Sequence, residues 1–229
     1  MTVGFLNFFL FQIFPYIAIV AFILGCILRF DRDPYSWRTK SSQLLRKKQL
    51  IVGSVLFHVG ILVILAGHFV GLLTPIQVFD SLGISHGAKQ ILAVVAGGIA
   101  GVFCLIGLCL LLHRRLFDAR IRKNSSFADI AVLVLLLAQL ILGLLTIPVS
   151  MNHLDGHEMV KFMNWAQHIV TFRGGADVFI ADVAIIFKLH ITLGLFLLLI
   201  FPFTRLVHAL SAPVGYLFRS YQIVRKRAV

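Results

Sequence analysis

The stretch from Leu50 to Leu73 holds no charged residue, yet it carries two histidines, His58 and His68, in an otherwise apolar run. About 20 apolar residues cross the roughly 30 Å hydrocarbon core of a bilayer, so this run predicts a membrane-spanning helix. An imidazole surrounded by hydrocarbon is costly and asks for a partner. The spacing from His58 to His68 puts the rings about 15 Å apart along a helix and about 80° apart around it. One bound group could not easily take both, so the pattern predicts two stacked sites at different depths. The plainer alternative is a pair of histidines hydrogen-bonded to neighbouring helices, and these two residues alone do not choose between them.

The rest of the chain repeats the first signal. Of 229 residues, 59% are hydrophobic and only 13% charged, and the mean hydropathy is +0.97. A soluble domain needs more polar surface than this, so the expectation is an all-α polytopic membrane bundle. Five spans are predicted at about 3–28, 50–73, 90–112, 127–149 and 182–203, forming one integral-membrane domain over 1–229 with a basic tail at 205–229. The first run lacks a basic n-region and a small-residue cleavage site and is read as a retained helix. Gly97 and Gly101 form a G-x-x-x-G, which lets helix backbones approach. Gly156 to Phe172 reads as an interfacial helix with Trp165 at headgroup level. The three cysteines lie in apolar runs as small buried hydrophobes. No C-x-x-C-H occurs, which excludes covalent c-type haem, and neither zinc spacing nor a disulfide framework is present.

Charge orients the bundle. Seven Lys/Arg lie in Arg29–Gln49, five in His113–Ser125 and five in Arg205–Val229, leaving only Lys89, Lys161, Arg173 and Lys188 of the 21 for the other side. The positive-inside bias makes the three rich segments cytoplasmic, with the N-terminus outside and the C-terminus inside. The net charge of +12 is then a matter of topology and contact with anionic lipid. Nucleic acid is a poor partner, because the basic residues flank membrane spans and no binding module surrounds them.

Orientation gives the histidines depths. Helix two runs outward, so His58 lies towards the cytoplasm and His68 towards the outside. Helix five runs inward, with His190 near its outer start and His208 just past Phe201-Pro202-Phe203. Antiparallel packing then matches His68 with His190 and His58 with His208. A straight helix from His190 to His208 covers about 27 Å, against about 15 Å for the partner pair. Tilt, a break at Pro202 or the width of a bound macrocycle has to absorb the difference. Haem held by two imidazoles fits such pairs, because each histidine supplies one axial nitrogen and a porphyrin fits between bundle helices. With both axial positions filled, the expected role is electron transfer. Gly60, Gly67, Gly71 and Gly194 are expected where a ring approaches, with ordinary helix packing as their plain alternative. Zinc or iron alone is disfavoured, since no carboxylate or cysteine completes either site. His113 reads as interfacial, and His86, His153, His157 and His168 as loop residues.

Short motifs in order along the chain carry a resemblance. They include Ser41-Ser42-Gln43, Leu56-Phe57-His58, Gly67-His68-Phe69, Gly71-Leu72-Leu73-Thr74-Pro75 and Arg114-Arg115-Leu116-Phe117. Gly143-Leu144-Leu145-Thr146-Ile147-Pro148, Trp165-Ala166-Gln167, Val170-Thr171-Phe172 and Gly174-Gly175-Ala176 follow, then Leu189-His190, Phe201-Pro202-Phe203 and Arg205-Leu206. In this order and spacing the chain resembles the γ subunit of bacterial respiratory nitrate reductase, a membrane di-haem cytochrome b. It departs from the family pattern over Ser81 to Ala88.

The resemblance implies two non-covalent haem b groups, held by His58 and His208 on the inner side and by His68 and His190 on the outer side. It implies oxidation of menaquinol or ubiquinol near the outer haem, with protons released outside the bacterial cytoplasmic (inner) membrane. Electrons would pass to an iron–sulfur β subunit and a molybdenum-containing α subunit on the cytoplasmic side, where nitrate is reduced. Lys89, close by topology to His68 and Gly67, stands where the family has a quinol-binding lysine; a snorkelling interfacial lysine is its plain alternative. Arg114 and Arg115 lie at the level of the inner haem and are candidates for its propionates, although a topogenic role already accounts for them. Two alternatives are a cytochrome b anchor for another cytoplasmic reductase, such as a heterodisulfide or sulfite-reduction complex, and a histidine-dependent transporter. The transporter reading lacks intramembrane Asp/Glu chains and inverted repeats.

Overall fold

A computed structural model describes residues 2–37, 45–152, 154–211 and 218. Arg38, Lys40, the Ser41-Ser42-Gln43 motif, His153 and most of the basic tail fall outside the described residues. Among the described residues all regular structure is helical, and five helices are long and apolar enough to cross a membrane. Leu62, Phe69 and Leu92 are among many large apolar side chains exposed on the outside of the bundle. Apolar area of that extent belongs against lipid rather than water.

The first crossing is α1 (Thr2–Phe8), a π-helical turn (Phe9–Ile13) and α2 (Phe14–Arg32). The irregularity has a sequence cause. Pro15 has no N–H, so the carbonyl of Phe11, four residues back, loses its helical donor. Phe14 N–H bonds instead to Phe9 O, and the indole Nε1 of Trp165 donates to Phe11 O at 2.8 Å. Trp165 is therefore an inward-facing residue, 9% exposed, and not a headgroup anchor. Its helix, α8 (His157–Val170), lies close to the predicted bounds and buries Met163, Trp165, Ala166 and Ile169 against one end of the bundle.

The second crossing, α3 (Lys47–Leu73), is followed by the short α4 (Ile76–Ser81) and packs along the third, α5 (His86–Phe117). The seam between α3 and α5 is lined by glycine. A Cβ on Gly60 would lie 2.7 Å from Ala100 O and from Cys104 N, and one on Gly107 would meet Phe57 N and lie 2.7 Å from Gly53 O. The G-x-x-x-G pair divides: Gly101 faces Leu144, whereas a Cβ on Gly97 would meet nothing.

After α6 (Ala119–Lys123), the fourth crossing is α7 (Phe127–Met151). It opens on a capping box in which Ser126 and Asp129 satisfy each other's backbone amides. The fifth is α9 (Ile185–Ile200), which gives way to 3-10 turns over Phe201–Phe203 and Arg205–Ala209. The span predicted to about 203 ends as an α-helix at Ile200, just before Pro202, where a ring replaces the amide hydrogen.

Candidate histidine-pair site

The structure brings the four intramembrane histidines together in twos. The ring centroids of His58 and His208 are 6.2 Å apart at an interplanar angle of 71°, and those of His68 and His190 are 6.2 Å apart at 40°. Both pairs share the continuous helix α3 and so lie at different depths.

Local bonding prepares three of the four rings. His58 Nδ1 is 2.7 Å from Ser54 O, His68 Nδ1 is 2.8 Å from Ile64 O, and His208 Nδ1 is 2.6 Å from Arg205 O. A carbonyl oxygen only accepts, so each Nδ1 is the protonated nitrogen, and each Nε2 keeps a free lone pair. That is the tautomer a metal-ligating imidazole uses, with its second N–H anchored by the protein. Ser54 Oγ, 3.2 Å from the same Nδ1 of His58, adds a second contact. His190 is the exception. Its Nδ1 is buried without a partner, and its Nε2 lies 3.5 Å from Gln139 Nε2 of α7.

The fit to haem rests on these rings. A ligating nitrogen sits about 2 Å from its metal and about 1.1 Å from its own ring centroid, so two imidazoles across one metal have centroids about 6 Å apart. Both pairs meet that spacing. Among the described residues, no group of three or more His, Cys, Asp or Glu gathers to hold a bare metal ion. Two imidazoles suit a metal whose remaining positions a macrocycle fills.

His208 reaches its partner because of the break at Pro202, so the length of a straight helix from His190 to His208 does not apply. The short segment carrying His208 has three anchors. A Cβ on Gly25 would lie 2.6 Å from the Pro202 ring, showing how closely α2 meets the turn. Arg29 Nη1 donates to Pro202 O at 2.5 Å and to Thr204 O at 2.8 Å. Arg205 pairs with Asp129 of α7 at 3.4 Å. Asp129 thus ties down the residue whose carbonyl holds His208.

The glycines expected beside the rings separate into two kinds. Gly60 is a helix-packing residue against α5, and Gly194 faces Gln139 at 3.1 Å from its Nε2. A Cβ on Gly67 or Gly71 would meet nothing within 4 Å. These two remain open towards the His68 side of α3.

Lys89 is 7% exposed and does not snorkel. Its Nζ donates to Gly71 O at 3.1 Å, lies 2.7 Å from Met163 Sδ, and sits 3.8 Å from the centre of the Phe79 ring. The ammonium closes the C-terminal turn of α3, where the helix dipole favours a cation. Gln167 Nε2 holds the same turn through Leu72 O and Thr74 O. At the other end of the bundle, Arg114 is buried and donates to Leu45 O at 2.6 Å. Arg115 donates to Ser125 Oγ and pairs with Asp129 at 3.4 Å. Both arginines carry structural contacts at the level of His58 and His208.

The remaining described histidines stand apart from the pairs. His86 faces Asp80 at 3.2 Å, His157 faces Asp155 at 3.8 Å, His113 lies 3.3 Å from Gln49 Nε2, and His168 Nδ1 donates to Asn164 O. On the His190 side of the bundle, Lys161 bridges Glu158 at 2.9 Å and Asp182 at 3.0 Å. The hydrogen bond that Lys161 donates to Glu158 raises the Lys161 ammonium pKa, and the one it donates to Asp182 lowers that of Asp182.

Sequence reading passed over Ser54, Arg29, Asp129, Arg205 and Gln139. Ser54 and Gln139 had a visible signal, each being a polar residue inside an apolar span. Arg29 and Arg205 count in the sequence only as boundary charges and Asp129 carries no signal there; their tertiary partners distinguish them.

The fold and these residues define a multi-pass membrane protein whose helices pair histidines at two levels. Residues 7–227 match the model of the family described as nitrate reductase gamma subunit. The chain is 52% identical over 223 residues to the respiratory nitrate reductase 1 gamma chain of Escherichia coli (strain K12), covering 97% of this chain and 99% of that one. It is 49% identical to the respiratory nitrate reductase 2 gamma chain of the same organism, over 98% and 99% of the two chains. Against the nitrate reductase gamma chain of Bacillus subtilis (strain 168) the identity is 42%, over 96% and 98%. The chain belongs to the nitrate reductase gamma subunit family, the cytochrome b-type subunit of a multisubunit respiratory nitrate reductase.

Proposed function

We propose that this subunit oxidises a membrane quinol, menaquinol or ubiquinol, near the outer face of the bacterial inner membrane and passes its electrons across the bilayer. The supporting observation is the pair of imidazole couples at one spacing, 6.2 Å between centroids, set at two depths of the same helix. Haem b, when bound between each couple, supplies one-electron chemistry and no open coordination position. His58 and His208 would hold the inner iron, and His68 and His190 the outer one.

The chain's own groups orient those ligands. Ser54, Ile64 and Arg205 carbonyls fix the ring tautomers, and Asp129 and Arg29 fix the segment that carries His208. Quinol oxidation releases two electrons and two protons; the protons leave on the outer side. The open backbone at Gly67 beside His68 gives room for a quinol ring. Lys89 closes the neighbouring turn, where its ammonium can exchange Gly71 O for a quinol oxygen as hydrogen-bond acceptor. On the cytoplasmic side the chain meets the iron–sulfur β subunit, which delivers electrons to the molybdenum-containing α subunit. With Arg115 and Arg205 sharing a single carboxylate, Asp129, this cluster keeps positive charge for haem propionates as well.

The test is a visible spectrum and haem count of the purified complex, with single His→Ala changes. Two b-type signals are expected, one lost from H58A or H208A and the other from H68A or H190A. Retention of both signals in any of the four variants would refute the ligand pairing.

A further inference from the structure

His190 differs from the other three histidines in what holds it. Each of those donates Nδ1–H to a carbonyl of its own helical segment, whereas His190 has no such bond and its Nδ1 is buried without a partner. The only described side chain within hydrogen-bonding reach of it is Gln139, whose Nε2 lies 3.5 Å from His190 Nε2 and whose Oε1 is likewise buried and unpartnered. The amide and the imidazole thus meet through their Nε2 atoms inside an apolar bundle, while the second polar atom of each is buried without a partner. An amide is both donor and acceptor, so a half-turn about its last bond offers the imidazole either role.

The surrounding backbone is cut to admit this contact from both sides. A Cβ on Gly143, one turn beyond Gln139 on α7, would lie 3.0 Å from His190 Cε1. A Cβ on Gly194, one turn beyond His190 on α9, would lie 3.1 Å from Gln139 Nε2. Each helix therefore lends a glycine to the other's polar side chain. Such reciprocal placement goes beyond what helix packing alone asks, since a small residue on one side would suffice for close approach.

We infer that Gln139 is the positioning residue of His190: its amide, seated between Gly143 and Gly194, sets the imidazole's rotation and proton arrangement and so gives the outer iron a potential distinct from the inner one. The physical route is ligand basicity. A hydrogen bond to the ring nitrogen that does not bind the metal alters the electron density the other nitrogen offers it. The route therefore requires Gln139 to hold one nitrogen of His190 while the other meets the iron. For the other three rings a backbone carbonyl does this work and no side-chain substitution can remove it. The inference rests on the proposed haem ligation, and the experiment separates the two.

In the intact membrane complex, Q139M keeps the length of the side chain and removes its hydrogen bonds. Redox potentiometry and low-temperature EPR of both haems are the readouts, with H190A as control. The expected result is a displaced outer potential and an altered outer EPR signal, with the inner signal unchanged. The displacement is up to about tenfold in the oxidised-to-reduced ratio, which for one electron is about 59 mV. Loss of the outer haem alone from Q139M also supports the inference. Both signals unchanged overturns it. If Q139M loses both haems, Q139N, which withdraws the amide by one methylene, is measured instead: a change confined to the outer haem supports the inference, and no change or loss of both overturns it. Should H190A itself retain both haems, the ligation reading fails, whatever Gln139 does.

Discussion

Gly107→Ala tests the link between helix packing and the His58–His208 pair. A methyl on Gly107 would collide with Phe57 N, lie 2.7 Å from Gly53 O and 2.9 Å from Phe57 Cα. All three neighbours are backbone, so no rotamer change relieves the contact. Ordinary carbon contacts lie near 3.5 to 4.0 Å, so α3 has to retreat from α5 by about 1 Å. Overpacking of this kind costs about 1–3 kcal/mol, against which alanine's better helix propensity returns at most about 1 kcal/mol. The displaced residue, Phe57, precedes His58, while the partner His208 stays pinned through Arg29 and Asp129. G107A should therefore lower the unfolding midpoint and disturb or empty the inner haem site, leaving the His68–His190 signal nearly intact. Haem quantification and low-temperature spectra of the complex measure this, with G97A as control because a Cβ there meets nothing. Equal midpoints and identical inner spectra for G107A and G97A would refute the coupling.

Other expectations follow from single contacts. W165F removes the donor to Phe11 O, the carbonyl that Pro15 leaves unpaired, and should cost about 1–3 kcal/mol in thermal or denaturant unfolding; an unchanged midpoint would count against this account. K89A should slow quinol oxidation in steady-state assays while both haems remain, whereas normal quinol kinetics would leave Lys89 as a structural cap on α3. D129N should weaken the hold on Arg205 and alter the inner haem spectrum without touching the outer one. The Lys161–Asp182 bridge has a pH window of definite sign. Asp182, with its pKa lowered from 3.8, contributes stability above that value and loses it as pH falls through the folded-state pKa; Lys161, raised from 10.5, contributes below that value and loses it as pH rises through its own. Unfolding midpoints of D182N measured against pH should lack the acid-side part of this dependence, and an unaltered profile would exclude the bridge as its source.

The sequence by itself determined the five spans and the four histidines. Apolar runs as long as Leu50 to Leu73 have one physical outcome in a bilayer, because a spanning backbone has to satisfy its own hydrogen bonds. An imidazole in such a run has to find a partner, which is why His58, His68, His190 and His208 stood out without coordinates. The helix after His190 and the place of Trp165 were decided elsewhere. Pro202 gave warning of a break, but the direction of the chain beyond it depends on Gly25, Arg29 and Asp129, three residues from two other helices. Pro15 freed a carbonyl that only the fold could pair with an indole far along the chain. Gln139 and His190 meet because glycines on two antiparallel helices face each other's side chains. Hydrophobicity and helical bonding act within a segment and are written in it; which neighbour completes a buried polar group depends on packing between segments, and that appears only when the helices have assembled.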